Sequence, residues 1–140
     1  MNIKSFLFAN NTGQTGQIGI LLLRLFAGLV MAFAHGMGKF PISEQMIAGV
    51  ESVGFPMPAL FAYAAALTEF AGGVLLALGL FTRPVGILLA FTMFVAGVFI
   101  HAADPFKIKE LAFLYMFVFI FFACYGGGRF SLDNKLASKA

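Results

Sequence analysis

Five polar residues could do chemistry in a chain that is otherwise dominated by apolar ones: Glu69, His35, His101, Lys39 and Arg24. Glu69 lies at the midpoint of the stretch PALFAYAAALTEFAGGVLLALGL, Pro58 to Leu80, which as a helix spans roughly 34 Å and can cross a bilayer. A carboxylate at that depth is costly and must face protein or trapped water, so it marks a functional site before any other residue is read. The plainer alternative is a protonated Glu that donates one structural hydrogen bond. The residues sharing its helical face are Ala62, Ala65, Ala66, Gly72, Gly73 and Leu76, nearly all small, so a neighbouring helix can approach closely there. A bulky residue at Gly73 is expected to disrupt that contact.

Direction and depth relate the other four to Glu69. Helical side chains lean toward their own N-terminus, so His35 and His101, each at the outer end of a helix, lean into the membrane toward Glu69, whereas Arg24 leans the other way. A direct ion pair between Arg24 and Glu69 is therefore not expected. The expectation is an outward-opening polar cavity with Glu69 as its floor and His35 and His101 on its walls. Lys39 stands at its mouth, and Arg24 lies below it or snorkels to the inner surface. Glu69, His35 and His101 then form a proton relay, and all five residues are candidate ligand contacts. Desolvation should keep Glu69 a neutral acid unless a histidinium or a ligand cation compensates it. Taken singly, each histidine is more ordinary as an interfacial residue, and Lys39 as a flanking charge. No Glu-x-x-His or His-x-x-x-His spacing supports a metal or haem site.

The elements that must position these groups follow from composition. The chain has 140 residues, 61% hydrophobic and 11% charged, with a mean hydropathy of +0.95, which places it outside soluble domains and among integral membrane proteins. Its net charge of +3 comes from single basic residues at the ends of apolar runs, a topology signal and not a nucleic-acid surface. The single cysteine, Cys124, has no partner for a disulfide or a CxxC motif and reads as a packing residue.

Four apolar runs, about 18–35, 58–80, 84–102 and 110–125, predict an all-α, up-down-up-down four-helix transmembrane bundle without β-sheet. Residues 1–17 form a polar or interfacial lead-in, with the first helix retained and not cleaved as a signal. The connection Gly36 to Met57 is the longest and carries an amphipathic helix around Ser43 to Ser52. Phe81-Thr82-Arg83-Pro84 is a tight antiparallel turn, and Asp104-Pro105 signals another. Residues 126–140 form a tail in which three glycines let the chain leave the helix and Ser131 to Asp133 turns back along the surface, with Arg129 suited to lipid phosphates. Lys4, Arg83, Arg129, Lys135 and Lys139 gather on the side of the termini, against Lys39, Lys107 and Lys109 opposite. That excess favours a plasma (inner) membrane protein with both termini cytoplasmic.

These residues also carry a resemblance. Leu23-Arg24-Leu25, His35-Gly36-Met37-Gly38-Lys39, Glu69 with Gly72-Gly73, and Leu78-Gly79-Leu80-Phe81-Thr82-Arg83-Pro84 occur in that order. His101, Lys109-Glu110-Leu111 and Gly126-Gly127-Gly128-Arg129-Phe130-Ser131-Leu132-Asp133 complete the series. Over about Ile18 to Asp133 the chain resembles the DoxX family of small four-helix membrane proteins. Where many members carry an aromatic residue or Asn near the third and fourth helices, this chain has Phe99 and Glu110. The resemblance implies that Arg24, His35, Lys39, Glu69, His101 and Arg129 are family positions, without making any of them an established catalytic residue. Some members are similar to a quinone-reducing subunit of a thiosulfate oxidoreductase, and others are associated with membrane redox-stress complexes or quinone resistance.

Two functions compete. The first is a redox component that binds a quinone-like molecule in the cavity. The sequence holds no flavin or haem motif and nothing that stores electrons, so a soluble or membrane redox partner would supply them. The second is a non-enzymatic scaffold or assembly factor, or a small-molecule or proton pathway through the same cavity. Either would sit in the lipid bilayer, and the small-residue faces would also suit a homo-oligomer.

Overall fold

The computed structural model describes residues 13–139. The interfacial segment expected at Asn2 to Phe8 lies outside the described residues. Four helices have the length and apolar character to cross a membrane: α1 (Gln14–Lys39), α3 (Pro58–Leu78), α4 (Thr82–Ile100) and α5 (Phe106–Tyr125). Two short helices accompany them, α2 (Glu44–Ser52) before α3 and α6 (Leu132–Ala137) in the tail. The four spans run alternately up and down, and there is no strand among the described residues. Each expected span is present, with shifted ends. α1 extends in both directions because Gln14 to Gln17 is already helical and Gly36 to Lys39 continues the coil. α5 starts at Phe106, directly after Pro105, since proline closes the preceding turn and leaves the next residues free to be helical.

Small residues decide which spans touch. A Cβ added at Gly28 would lie 2.6 Å from the Ala77 amide nitrogen, and one at Gly73 would lie 2.6 Å from that of Ala32. The α1 and α3 backbones therefore cross at a distance only glycine permits. On the other side Gly86 of α4 is seated against Phe119 and Ala123 of α5. Between these pairs lies the core, where Met31, Leu76, Leu89, Met93, Phe119 and Phe122 are buried. Around it Leu22, Phe26, Ile87, Leu88, Phe91 and Phe117 are exposed on all sides, the pattern of a bundle solvated by lipid.

The two ends of the bundle differ. At the end carrying the tail, polar side chains tie the connections together. Arg24, 1% exposed, donates to the Leu76 and Ala77 carbonyls at 2.9 and 2.6 Å and to the Phe130 carbonyl at 2.7 Å. It thus satisfies the last turn of α3 and holds the tail against it. Gly79 ends α3 in the left-handed region at φ 68°, and a side chain there would collide with the Arg24 guanidinium. Asp133 in α6 accepts from the Phe81 and Thr82 amides, at 2.8 Å each, so a carboxylate from the tail caps the first turn of α4. Burial pushes the Asp133 carboxyl up, but those two donors and the Arg24 charge outweigh it and hold it below its ordinary value. At the opposite end α1 and α3 are joined by the long loop that contains α2, and Ser43 caps α2 by accepting from the Met46 amide at 3.2 Å.

The α1–α3 crossing gives a direct test. Gly73→Ala should destabilise the purified protein by about 1–3 kcal/mol through overpacking, read as a lower melting temperature, whereas Ile87→Ala on the lipid face should leave it unchanged.

Candidate functional site

Three of the spans depart from α-helical winding, α1 and α4 in the half nearest the α2 loop and α3 at its middle. The stretches Val30–Gly36, Thr68–Gly72 and Ala96–Ile100 are wound as wider π turns. Such turns insert an extra residue and rotate whatever follows, and they occur often at functional sites. His35 and Glu69 lie inside two of these stretches, and His101 directly follows the third. Gly36 brings the first two stretches together, because a Cβ at that position would overlap the Glu69 and Phe70 backbone.

The result is a partly buried ion pair. Glu69 is 2% exposed, and its Oε1 accepts from Lys39 Nζ at 2.5 Å. The lysine stem runs down from the end of α1, while its head remains about one-third exposed, at 33%. The other carboxylate oxygen, Oε2, is buried without a partner among the described residues. The cation beside Glu69 is therefore Lys39. The sequence placed Lys39 at the mouth of the cavity, and the structure places its head on the floor.

The pair borders a cavity of about 910 Å³ between α3 and α4, roofed by α2. α3 contributes Phe61, Ala64, Ala65, Thr68 and Glu69, and α4 contributes Leu88, Phe91, Thr92, Val95 and Ala96. Both sets follow the three-and-four spacing of one helical face. His101 lines the far end. Its Nδ1 lies 2.7 Å from Asp104 Oδ2, and since a carboxylate only accepts, the imidazole donates there and leaves Nε2 open. The cavity wall thus combines an ammonium, a carboxylate, an imidazole and two threonine hydroxyls with apolar and aromatic surface.

The remaining candidates are elsewhere. His35 does not line the cavity; it stands edge-on to Tyr115 of α5, with ring centroids 5.7 Å apart. Arg24 spends its donors on carbonyls at the tail end. Arg129 is beside a separate cleft there, and its amide donates to Gln17 Oε1 at 2.8 Å. No group of three or more His, Cys, Asp or Glu comes together among the described residues, and Cys124 is free and exposed. Sequence reasoning missed Asp104, which a His-x-x-Asp spacing could have flagged. It also missed Thr68 and Thr92, which a transmembrane sequence offers no reason to single out.

The DoxX family model matches residues 19–102, which contain all five of the candidate residues. The chain belongs to the DoxX family. It is 37% identical over 118 residues to "Putative oxidoreductase CatD" of Bacillus subtilis, covering 84% of this chain and 86% of that relative. It is 39% identical over 127 residues to an "Uncharacterized protein" of Haemophilus influenzae, covering 81% of this chain and 90% of the other. No solved structure matches it. This DoxX protein is a multi-pass membrane protein by its four spans.

A double-substitution cycle tests the ion pair. Lys39→Met should cost roughly 3 kcal/mol by stranding a buried carboxylate, and adding Glu69→Gln should restore most of it. Purely additive losses would mean that the two side chains do not interact in the folded protein.

Proposed function

We propose that this DoxX protein is a redox-associated component of the inner membrane that binds a quinone-like molecule in the cavity between α3 and α4. The observation that carries the reading is the Lys39–Glu69 pair, held at the wall of a mostly apolar cavity of about 910 Å³, within the range of sites for drug-sized ligands. An ammonium fixed by a carboxylate is a hydrogen-bond donor of defined position. It suits a carbonyl oxygen that gains negative charge on reduction. The name of the Bacillus relative, which includes oxidoreductase, supports the same class.

In this reading Lys39 donates to one ring oxygen, Glu69 keeps the ammonium in place, and His101 serves the protons. Reduction of a quinone to a quinol takes two electrons and two protons. The electrons come from a partner protein carrying a flavin or haem, because no side chain of this cavity stores them. The protons pass by way of His101 Nε2, with Asp104 stabilising the imidazolium that forms. His35, set against Tyr115, takes no part. The basic excess around the termini supports their cytoplasmic placement, with the α2 loop and the His101 end of the cavity on the outer side. Lys39 drops out of that count as a flanking charge, since it pairs with Glu69.

The test is direct binding of an unsubstituted benzoquinone ring to the purified protein. Wild type should bind it, and the Lys39→Met, Glu69→Gln double variant, which keeps the fold without the ammonium, should bind at least tenfold more weakly. A folded wild type with no affinity for the ring would favour the scaffold function instead.

A further inference from the structure

The walls of the cavity are not equally closed. α3 and α4 meet tightly only in the half near the tail, where a Cβ on Gly72 would lie 3.4 Å from the Leu89 side chain and 3.6 Å from that of Val85. Toward the α2 loop the first part of α3, Pro58–Leu67, packs chiefly on α2 and much less on α4. The two spans therefore diverge as an open V. Residues that line the V are themselves well exposed: Phe61 at 37%, Leu88 at 56% and Phe91 at 56%. On the water side α2 covers the same space, with Met46, Gly49 and Val50 facing it, and the Phe55 ring lies against Phe61 with centroids 4.9 Å apart.

We infer that the gap between α3 and α4 is a lateral portal to the hydrocarbon phase, and that the cavity takes a chain-bearing amphiphile dissolved in the bilayer. Its ring sits against the Lys39–Glu69 wall, and its alkyl or isoprenoid chain leaves between Phe61 and Phe91. Three observations agree on this. The polar groups are on the inner wall and the apolar ones on the rim, so the gradient runs outward, as in an amphiphile. The lining of α4 extends from Leu88 to Ile100, about 18 Å of helix at 1.5 Å per residue, longer than a single ring requires. A cleft between splayed helices facing lipid is filled by hydrocarbon in any case, so a chain there replaces lipid at little cost.

The inference rests on the proposed binding of a quinone-like ring, and the experiment separates the two. The probes are a benzoquinone bearing a ten-carbon chain and the unsubstituted parent ring, each titrated into the full-length protein in the same micelles. Ala64→Trp, which fills the rim opposite Phe91, should weaken binding of the chain-bearing probe at least tenfold and leave the parent ring within twofold. Ile87→Ala, on the lipid face and outside the cavity lining, should bind both as wild type does. Melting temperatures establish that each variant is folded. Equal loss of both probes in folded Ala64→Trp, or no loss of either, would overturn the portal while leaving ring binding intact. Failure of wild type to bind either probe would overturn both readings. A disulfide dimer formed in membranes by Phe91→Cys with Cys124→Ala would assign the rim to a second copy and also overturn the portal.

Discussion

The contact between Lys39 and Glu69 constrains the rest of the molecule. An ionised carboxylate in a bilayer interior is destabilising by several kcal/mol unless a cation and further donors surround it, and here the cation must come from another helix. Lys39 reaches Glu69 only because α1 crosses α3 almost backbone to backbone, through Gly28 and Gly73 and again where Gly36 rests on the Glu69–Phe70 peptide. The small residues around Glu69 are thus required by the ion pair. With any larger side chain in the seam the two charges would separate, and each would be left in a medium that solvates neither.

The pair also accounts for the division between the two ends of the bundle. At the tail end several polar groups are committed to structure: Arg24 to three carbonyls, Asp133 to two amides, and Ser131 to the cap of α6. That end fixes the relative positions of α1, α3, α4 and the tail. Away from that end the π turns widen three spans, α3 leans chiefly on α2, and a cavity opens beside the pair. The rigid end holds the frame, and the open end has surface and polarity to offer a ligand.

Much of the fold was legible because bilayer thickness acts directly on sequence. Four apolar runs of spanning length and an amphipathic segment near Ser43 became the expected elements, while the turn expected at Phe81 to Pro84 lies earlier, at Gly79 to Phe81, and Arg83-Pro84 belongs to the first turn of α4. Of the cavity's polar groups, Lys39, Glu69 and His101 were singled out in the sequence, but their pairings were not. The lean of a helical side chain toward its N-terminus pointed His35 at Glu69, whereas in the π stretch Val30–Gly36 it stands against Tyr115, and Lys39 meets Glu69 instead. Arg24 was placed below the cavity by the lean of its side chain, but its purpose depends on the Leu76, Ala77 and Phe130 carbonyls, and backbone acceptors carry no mark in a sequence. The reach of the lysine stem was likewise invisible, since a flanking Lys and a buried partner are the same residue until the helix crossing is known.

The charged state of Glu69 is tested most directly by infrared difference spectroscopy between wild type and Glu69→Gln in lipid at neutral pH. An ion pair with Lys39 predicts that the variant loses an ionised carboxylate band and that wild type shows no protonated-carboxyl band assignable to this residue. A protonated-carboxyl band in wild type that disappears in Glu69→Gln would show a neutral acid at position 69 and contradict the pair.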